Sequence, residues 1–161
     1  MRPQRLTGHD YIGPQRYFLT LCTFERHRHF VDEPVVTLVY EQFLRTAAPN
    51  KFAILAYCFM PDHLHLLAEG TATRSNLPSF VALAKQRAAF VVRSTLRRRL
   101  WQTGYFERVL RDGDDSFNVA RYIVQNPVRA GLVGSPELYP FTGSSILTRE
   151  QLIESCQWKP R

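Results

Sequence analysis

Residues 60–67, MPDHLHLL, place two of the five histidines of the chain one residue apart in an apolar run. In a β-strand, residues i and i+2 project from the same face, so His63 and His65 are predicted to lie side by side. Leu64 and Leu66 then face the other way. Two neutral imidazoles at this spacing can bind one divalent cation or act as a proton-transfer pair. The same pair is also typical of core histidines that bond to backbone carbonyls.

A second group of candidate residues lies in residues 120–133, ARYIVQNPVRAGLV. On a helix, Tyr122, Gln125 and Asn126 share one face. A tyrosine hydroxyl can attack phosphorus when a cation polarises the phosphate, and an amide oxygen can complete a site of two histidines and one oxygen. Such a ligand set suits Mg²⁺ or Mn²⁺, whereas zinc prefers a cysteine or a third histidine. The alternative is an ordinary helix aromatic at Tyr122 and a helix cap at Asn126.

The elements that must position these residues can be read from hydrophobic periodicity. We predict strands at 17–24, 51–60, 63–69 and 100–111, helices at 32–49, 75–99 and 116–125, a turn at 112–115 and a short helix at 148–156. Because the residue before a proline avoids the α region, Asn126-Pro127 predicts that the third helix ends or kinks there.

The order β-α-β-β-α-β, followed by a helix, is the ferredoxin-like pattern. We therefore expect an α+β fold with an antiparallel sheet and an appended helix that carries Tyr122. The length fits a single domain over residues 1–161, with a core at about 10–135 and a tail at 136–161.

The distribution of charge predicts a nucleic-acid partner. The formal net charge is +7, and residues 70–106 hold no Asp or Glu but seven cations. A concentrated cationic face suits a polyanion, because neutralising phosphates releases counterions. Within this stretch, the residues assigned to DNA binding are Lys85, Arg87, Arg93 and Arg97. The alternative is that some of these cations only keep the helix soluble.

No stretch of the chain approaches the roughly 18 consecutive apolar residues that a membrane span needs. The segment at 1–13, MRPQRLTGHDYIG, also lacks the apolar core of a secretory signal. We therefore expect a cytoplasmic protein with no membrane partner.

Three segments together resemble a known family. MPDHLHLL, WQTGYFERVLRD and YIVQNPVRAGLV follow one another as in the REP-associated tyrosine transposases, which are single-tyrosine members of the HUH nuclease superfamily. The resemblance covers roughly residues 10–135. It implies that His63 and His65 bind the metal and that Tyr122 is the nucleophile. Asn126 stands where related transposases use a glutamine as third ligand, and Gln125 is its competitor.

The resemblance also implies a reaction and a substrate. The tyrosine would cleave single-stranded DNA with Mg²⁺ or Mn²⁺, giving a 5′-phosphotyrosine and a free 3′-hydroxyl, and a second 3′-hydroxyl would rejoin the strands. The substrates would be REP-like hairpins, and the enzyme a monomer or a homodimer. The alternative is a domesticated protein that binds REP-like hairpins with little or no cleavage. A metal-dependent RNA nuclease is a third reading, which rests on charge and the histidine pair.

Overall fold

The computed structural model describes residues 5–111 and 116–157, and its framework is a five-stranded antiparallel sheet. The strands are β1 (Arg16–Cys22), β2 (Phe52–Met60), β3 (His63–Gly70), β4 (Phe106–Leu110) and β5 (Thr142–Gly143). Their order is β4-β1-β3-β2-β5, so β3 lies in the centre, paired with β1 on one side and β2 on the other. The predicted turn at 112–115 lies outside the described residues.

The described residues also form four α-helices. They are α1 (Glu33–Ala47), α2 (Leu77–Leu96), α3 (Ser116–Arg129) and α4 (Arg149–Gln157). The order of the first four strands is the ferredoxin-like one, and α3 and α4 follow them, so the predicted α+β fold with an appended helix is confirmed. Within the described ranges, no helix has both the length and the apolar character that crossing a membrane demands. The cytoplasmic location stays a prediction.

Two cores lie on opposite faces of the sheet. The larger one contains Leu64 and Leu66 of β3 together with the buried sides of α1 and α2. The other contains Leu67 of β3 with Ile123 of α3 and Cys156 of α4. The predicted alternation along β3 is therefore correct. Leu64 and Leu66 pack in the first core, and the two histidines face the side that α3 covers.

The predicted strand at 100–111 is wrong in its first half, since β4 begins only at Phe106. Residues before it cross the end of β1, where the Gln102 N–H donates to the Cys22 carbonyl at 3.0 Å. Trp101 forms an isolated bridge with Thr23, and its indole N–H donates to the Lys85 carbonyl at 3.2 Å. Buried aromatic residues such as Trp101 give this segment a strand-like sequence pattern, but here they fill the space between α2 and the end of the sheet.

Helix α3 does not end at Asn126-Pro127 but continues to Arg129, so the predicted end at 125 is wrong by one turn. Pro127 has no N–H to donate within the helix. Its ring is buried, however, and the Ala130 N–H bonds to the Asn126 carbonyl at 2.9 Å in the following turn. Burial of the ring thus outweighs the local preference of the residue before proline.

The segment after α3 folds back onto the sheet. The hydroxyl of Tyr139 donates to the Phe59 carbonyl at 2.5 Å, and the two residues of β5 pair with β2. The guanidinium of Arg149 donates to the carbonyl of Tyr139 at 2.6 Å and so ties the start of α4 to this segment. The predicted terminal helix is confirmed, whereas β5 was missed in a stretch rich in Gly, Pro and Ser. The assignment of residues 1–161 to one domain stays a prediction.

Ile123 tests how firmly α3 is held on the sheet. Its side chain is fully buried, so Ile123→Ala is expected to lower the free energy of unfolding by about 2–5 kcal/mol and Ile123→Val by about 0.5–1.5 kcal/mol. Leu138→Ala, at a position 67% exposed, is the control and should change it by less than about 0.5 kcal/mol. Urea titration measures all three. Equal losses at both positions would contradict this packing.

Candidate active site

The two predicted histidines lie side by side at the start of the central strand β3. His63 lies opposite Cys22 of β1, and His65 lies opposite Thr20. Their Nε2 atoms are 3.2 Å apart. Two ligands at about 2.1 Å from one cation and at right angles to each other stand about 3.0 Å apart, so the observed spacing fits a shared divalent ion.

The other ring nitrogen of each histidine has its own partner. His63 Nδ1 lies 2.7 Å from the Asp62 carboxylate, and His65 Nδ1 lies 2.9 Å from the Thr20 hydroxyl. A histidine that donates its Nδ1 proton presents a lone pair at Nε2, which is the form that a metal requires. Both Nδ1 contacts therefore orient the Nε2 atoms toward the same point.

Burial keeps both imidazoles neutral. It lowers the pKa of His63, against the opposing influence of Asp62. It lowers the pKa of His65 to about 3, and the proximity of His63 and of the Arg129 guanidinium acts in the same direction. Neutral imidazoles do not have to release a proton before they bind a cation.

Asp62 is itself held in place by Arg26. Burial opposes ionisation of this carboxylate, but hydrogen bonds from His63 and Arg26 hold its pKa below the ordinary value. Arg26 Nε lies 2.9 Å from Asp62, and its Nη1 lies 3.1 Å from Cys22 Sγ. Glu25 and Arg26 both adopt left-handed φ angles, of 51° and 57°, which cost energy for residues with a side chain. The backbone thus accepts strain in the turn that aims Arg26 at Asp62.

Helix α3 places Tyr122 against the histidine pair. Its ring centroid lies 5.9 Å from that of His65 and 5.7 Å from that of Phe18 on β1, in both cases edge to face. The residue is 46% exposed. An exposed tyrosine whose ring packs against the candidate metal-binding pair is a candidate nucleophile.

Two further residues of α3 lie on this face. Gln125 and Asn126 follow Tyr122 by about one turn and are both partly buried. Over the described part of the chain, no three His, Cys, Asp or Glu side chains form a group that could hold a metal ion. Whether Asn126 or Gln125 supplies a third ligand stays a prediction.

The predicted DNA-binding residues lie elsewhere, on α2 and thus on the opposite face of the sheet. Lys85 is turned inward: its Nζ donates to the carbonyls of Gln102 and Gly104 at 3.1 and 2.8 Å, and burial lowers its pKa to about 8. Arg87 donates to the Thr46 hydroxyl of α1 at 3.2 Å.

The last two predicted DNA-binding residues are exposed. The guanidinium of Arg93 lies 4.7 Å from the ring centroid of Phe90, and Arg97 caps α2 with a φ of 51°. The structure therefore does not bring any of the four predicted cations together with Tyr122.

Several residues of the site were not predicted. Asp62 adjoins the histidine pair in sequence, and a carboxylate next to a candidate ligand is a signal that could have identified it. Arg129 lies two turns after Tyr122, with its guanidinium carbon 4.0 Å from the Tyr122 ring centroid. Because the helix was predicted to end at residue 125, Arg129 was placed outside it and its contact with Tyr122 was not predicted. Thr20 and Phe18 have no local signal, since only the pairing of β1 with β3 brings them here.

The chain is similar to known transposases. The family model described as "Transposase IS200 like" matches residues 14–126. The "Putative REP-associated tyrosine transposase" of Haemophilus influenzae is 24% identical over 144 residues, which cover 83% of this chain and 81% of that protein. The ISDra2 transposase TnpA of Deinococcus radiodurans is 34% identical over 98 residues, which cover 58% of this chain and 68% of that protein.

A solved structure of a REP-associated tyrosine transposase bound to a REP hairpin superposes with a TM-score of 0.76. The match covers 98% of this chain and 93% of that one, and at 18% identity it establishes the fold. The resemblance found in the sequence is confirmed by the family model and by the relative from Haemophilus influenzae, and the solved structure agrees with it in fold. The matched residues include the histidine pair, Tyr122 and Asn126, and the chain belongs to the IS200-like transposase family.

Proposed function

We propose that this chain is a metal-dependent single-stranded DNA endonuclease and strand transferase that acts on REP-like hairpins through a 5′-phosphotyrosine at Tyr122. The observation that carries the proposal is the convergence of the His63 and His65 Nε2 atoms, 3.2 Å apart, beside an exposed tyrosine. A transposase relative named for REP elements and a solved neighbour named as bound to a REP hairpin support the choice of substrate.

The residues fit a divalent ion, because two neutral imidazoles converge on one point and each is oriented by a partner at Nδ1. His63 and His65 would hold Mg²⁺ or Mn²⁺, with an amide oxygen of Asn126 or Gln125 as a further ligand. When bound, the ion supplies Lewis-acid polarisation of the scissile phosphate.

Tyr122 performs the covalent step. Its hydroxyl oxygen forms a bond to phosphorus and loses its proton, while the bond from phosphorus to the 3′-oxygen breaks and that oxygen takes up a proton. In the second step a different 3′-hydroxyl attacks the phosphotyrosine, and the tyrosine hydroxyl is restored. The number of phosphodiester bonds is conserved, so rejoining needs no external energy source.

Hairpin binding without turnover is the second candidate function. It is favoured by one observation: among the described residues no acidic, cysteine or third histidine side chain completes a metal-binding group with the pair. A loosely held ion would then allow DNA binding but not cleavage. Tight hairpin binding with no covalent product in any divalent ion would support this alternative.

A covalent adduct assay tests the proposal. A labelled REP-like hairpin with a single-stranded flank should form an SDS-resistant protein–DNA product with Mg²⁺ or Mn²⁺ and none in EDTA. Tyr122→Phe should reduce the product to background because the attacking oxygen is gone. Tyr40→Phe is the matched control, since Tyr40 lies on α1 across the sheet. An adduct that persists in Tyr122→Phe refutes the assignment of the nucleophile.

Acid is expected to destabilise the fold through His65. The unfolded imidazole has a pKa of 6.5, whereas burial lowers the folded value to about 3, so between these values only the unfolded chain binds the proton. The free energy of unfolding should therefore fall as the pH drops from about 6.5 toward 3. Urea titrations at several pH values in EDTA measure this slope, and His65→Gln should flatten it. Identical slopes in both proteins would contradict a buried neutral imidazole.

The cations of α2 are expected to differ in their roles. Replacing an arginine that contacts a phosphate lowers the slope of log binding constant against log salt by about 0.7–0.9. Arg93→Gln and Arg97→Gln, at exposed positions, should each do so in hairpin titrations by fluorescence anisotropy. Lys85→Met should leave that slope unchanged but lower the melting temperature, because it removes two internal hydrogen bonds. Unchanged salt slopes in both arginine variants would place the DNA away from α2.

A further inference from the structure

Arg129 makes two contacts with the same tyrosine. Its guanidinium carbon lies 4.0 Å from the centroid of the Tyr122 ring, and its Nη2 donates to the Tyr122 carbonyl at 2.7 Å. A guanidinium has five N–H donors in a planar fork, so one bond to the backbone fixes its orientation and leaves other donors available. Because the residue is exposed, those donors can meet a bound ligand.

Its contact with Tyr122 brings Arg129 close to the histidine pair. The Tyr122 ring centroid lies 5.9 Å from that of His65 and 4.0 Å from the Arg129 guanidinium carbon, so Tyr122, His65 and Arg129 form one cluster.

Within residues 5–111 and 116–157, no carboxylate forms an ion pair with Arg129. Asp62 already bonds to His63 and Arg26. The imidazoles are neutral, and a divalent ion on them would add two further positive charges. A site that gathers cations in this way favours an anion, and the transition state of phosphoryl transfer carries more negative charge than the phosphodiester itself.

We propose that Arg129 is a catalytic residue that binds a non-bridging oxygen of the scissile phosphate and stabilises the charge that develops there. This inference rests on the proposed function of Tyr122. As the Tyr122 oxygen bonds to phosphorus and the 3′-oxygen departs, Arg129 contributes hydrogen bonds and charge but transfers no proton, because its guanidinium stays protonated. Its stacking on the tyrosine ring keeps the nucleophile and the phosphate-binding group together before DNA arrives.

The test is the single-turnover rate of adduct formation at saturating hairpin. Loss of one hydrogen-bond donor to a developing oxyanion typically costs about 10²–10³-fold in rate, so Arg129→Gln should slow the reaction by that factor, and Arg129→Lys by less. Hairpin affinity, measured by anisotropy, should change little. Arg121→Gln is the matched control on the same helix, where Arg121 bonds to the Cys156 carbonyl of α4. It should retain the wild-type rate.

A substrate with an uncharged methylphosphonate at the scissile position separates phosphate binding from positioning of the tyrosine. Without the negative charge, the difference between wild type and Arg129→Gln should shrink to within about tenfold. If Arg129→Gln is slower than wild type by the same factor on both substrates, Arg129 acts only on the tyrosine and the proposed phosphate contact is wrong.

The outcomes also separate this inference from the function on which it rests. If the wild-type protein forms no adduct, the proposed endonuclease activity itself fails. If the wild-type protein forms the adduct and Arg129→Gln reacts as fast as Arg121→Gln, only the role of Arg129 is overturned. If Arg129→Gln weakens affinity but keeps the saturating rate, Arg129 is a binding contact and not a catalytic residue.

Discussion

The antiparallel pairing of β1 with β3 is the constraint on which the site depends. The register that sets Thr20 opposite His65 and Cys22 opposite His63 decides which partners the two imidazoles meet. Because side chains alternate along a strand, a slip of one residue would turn both histidines into the core beneath α1 and α2 and bring leucines to the surface under α3. The apolar pattern of β3 therefore decides which face the histidines occupy, since burying the leucines on one face turns the histidines to the other.

The two faces of the sheet carry different groups of charged residues. The face beneath α3 holds the histidine pair and Tyr122, with Arg26 bonded to Asp62 and Arg129 over the Tyr122 ring. The opposite face carries the cation-rich helix α2. Some of its cations make internal contacts, such as the hydrogen bond from Lys85 to the Gln102 carbonyl. The positive charge of the chain therefore does not form a single patch. One group of arginines lies beside the histidine pair and Tyr122, and the other lies on α2, on the opposite face of the sheet.

The sequence and the structure agree where a local pattern is strong. Alternation along β3 and the helical spacing from Tyr122 to Asn126 were sufficient to place the histidines on one face and the tyrosine on the appended helix. The relation of Arg129 to Tyr122 was not predicted, because a local rule for residues before proline gave way to burial of Pro127. Residues 100–105 were misread for a similar reason: buried aromatics resemble a strand whether or not the backbone is paired. Thr20 and Arg26 reach the site only through contacts distant in sequence, which no local pattern encodes.

The ends of the sheet have a consequence for the behaviour of the protein at high concentration. One edge is β4, five residues long with Glu107 and Arg108 in its middle, and the other is the two-residue β5 laid along β2. Short and charged edges offer little backbone for intermolecular pairing, which is the first step of aggregation in many β-rich proteins. By pairing with Tyr57 and Cys58 and bonding to the Phe59 carbonyl, the segment that carries Tyr139 shields this part of β2 from neighbouring molecules.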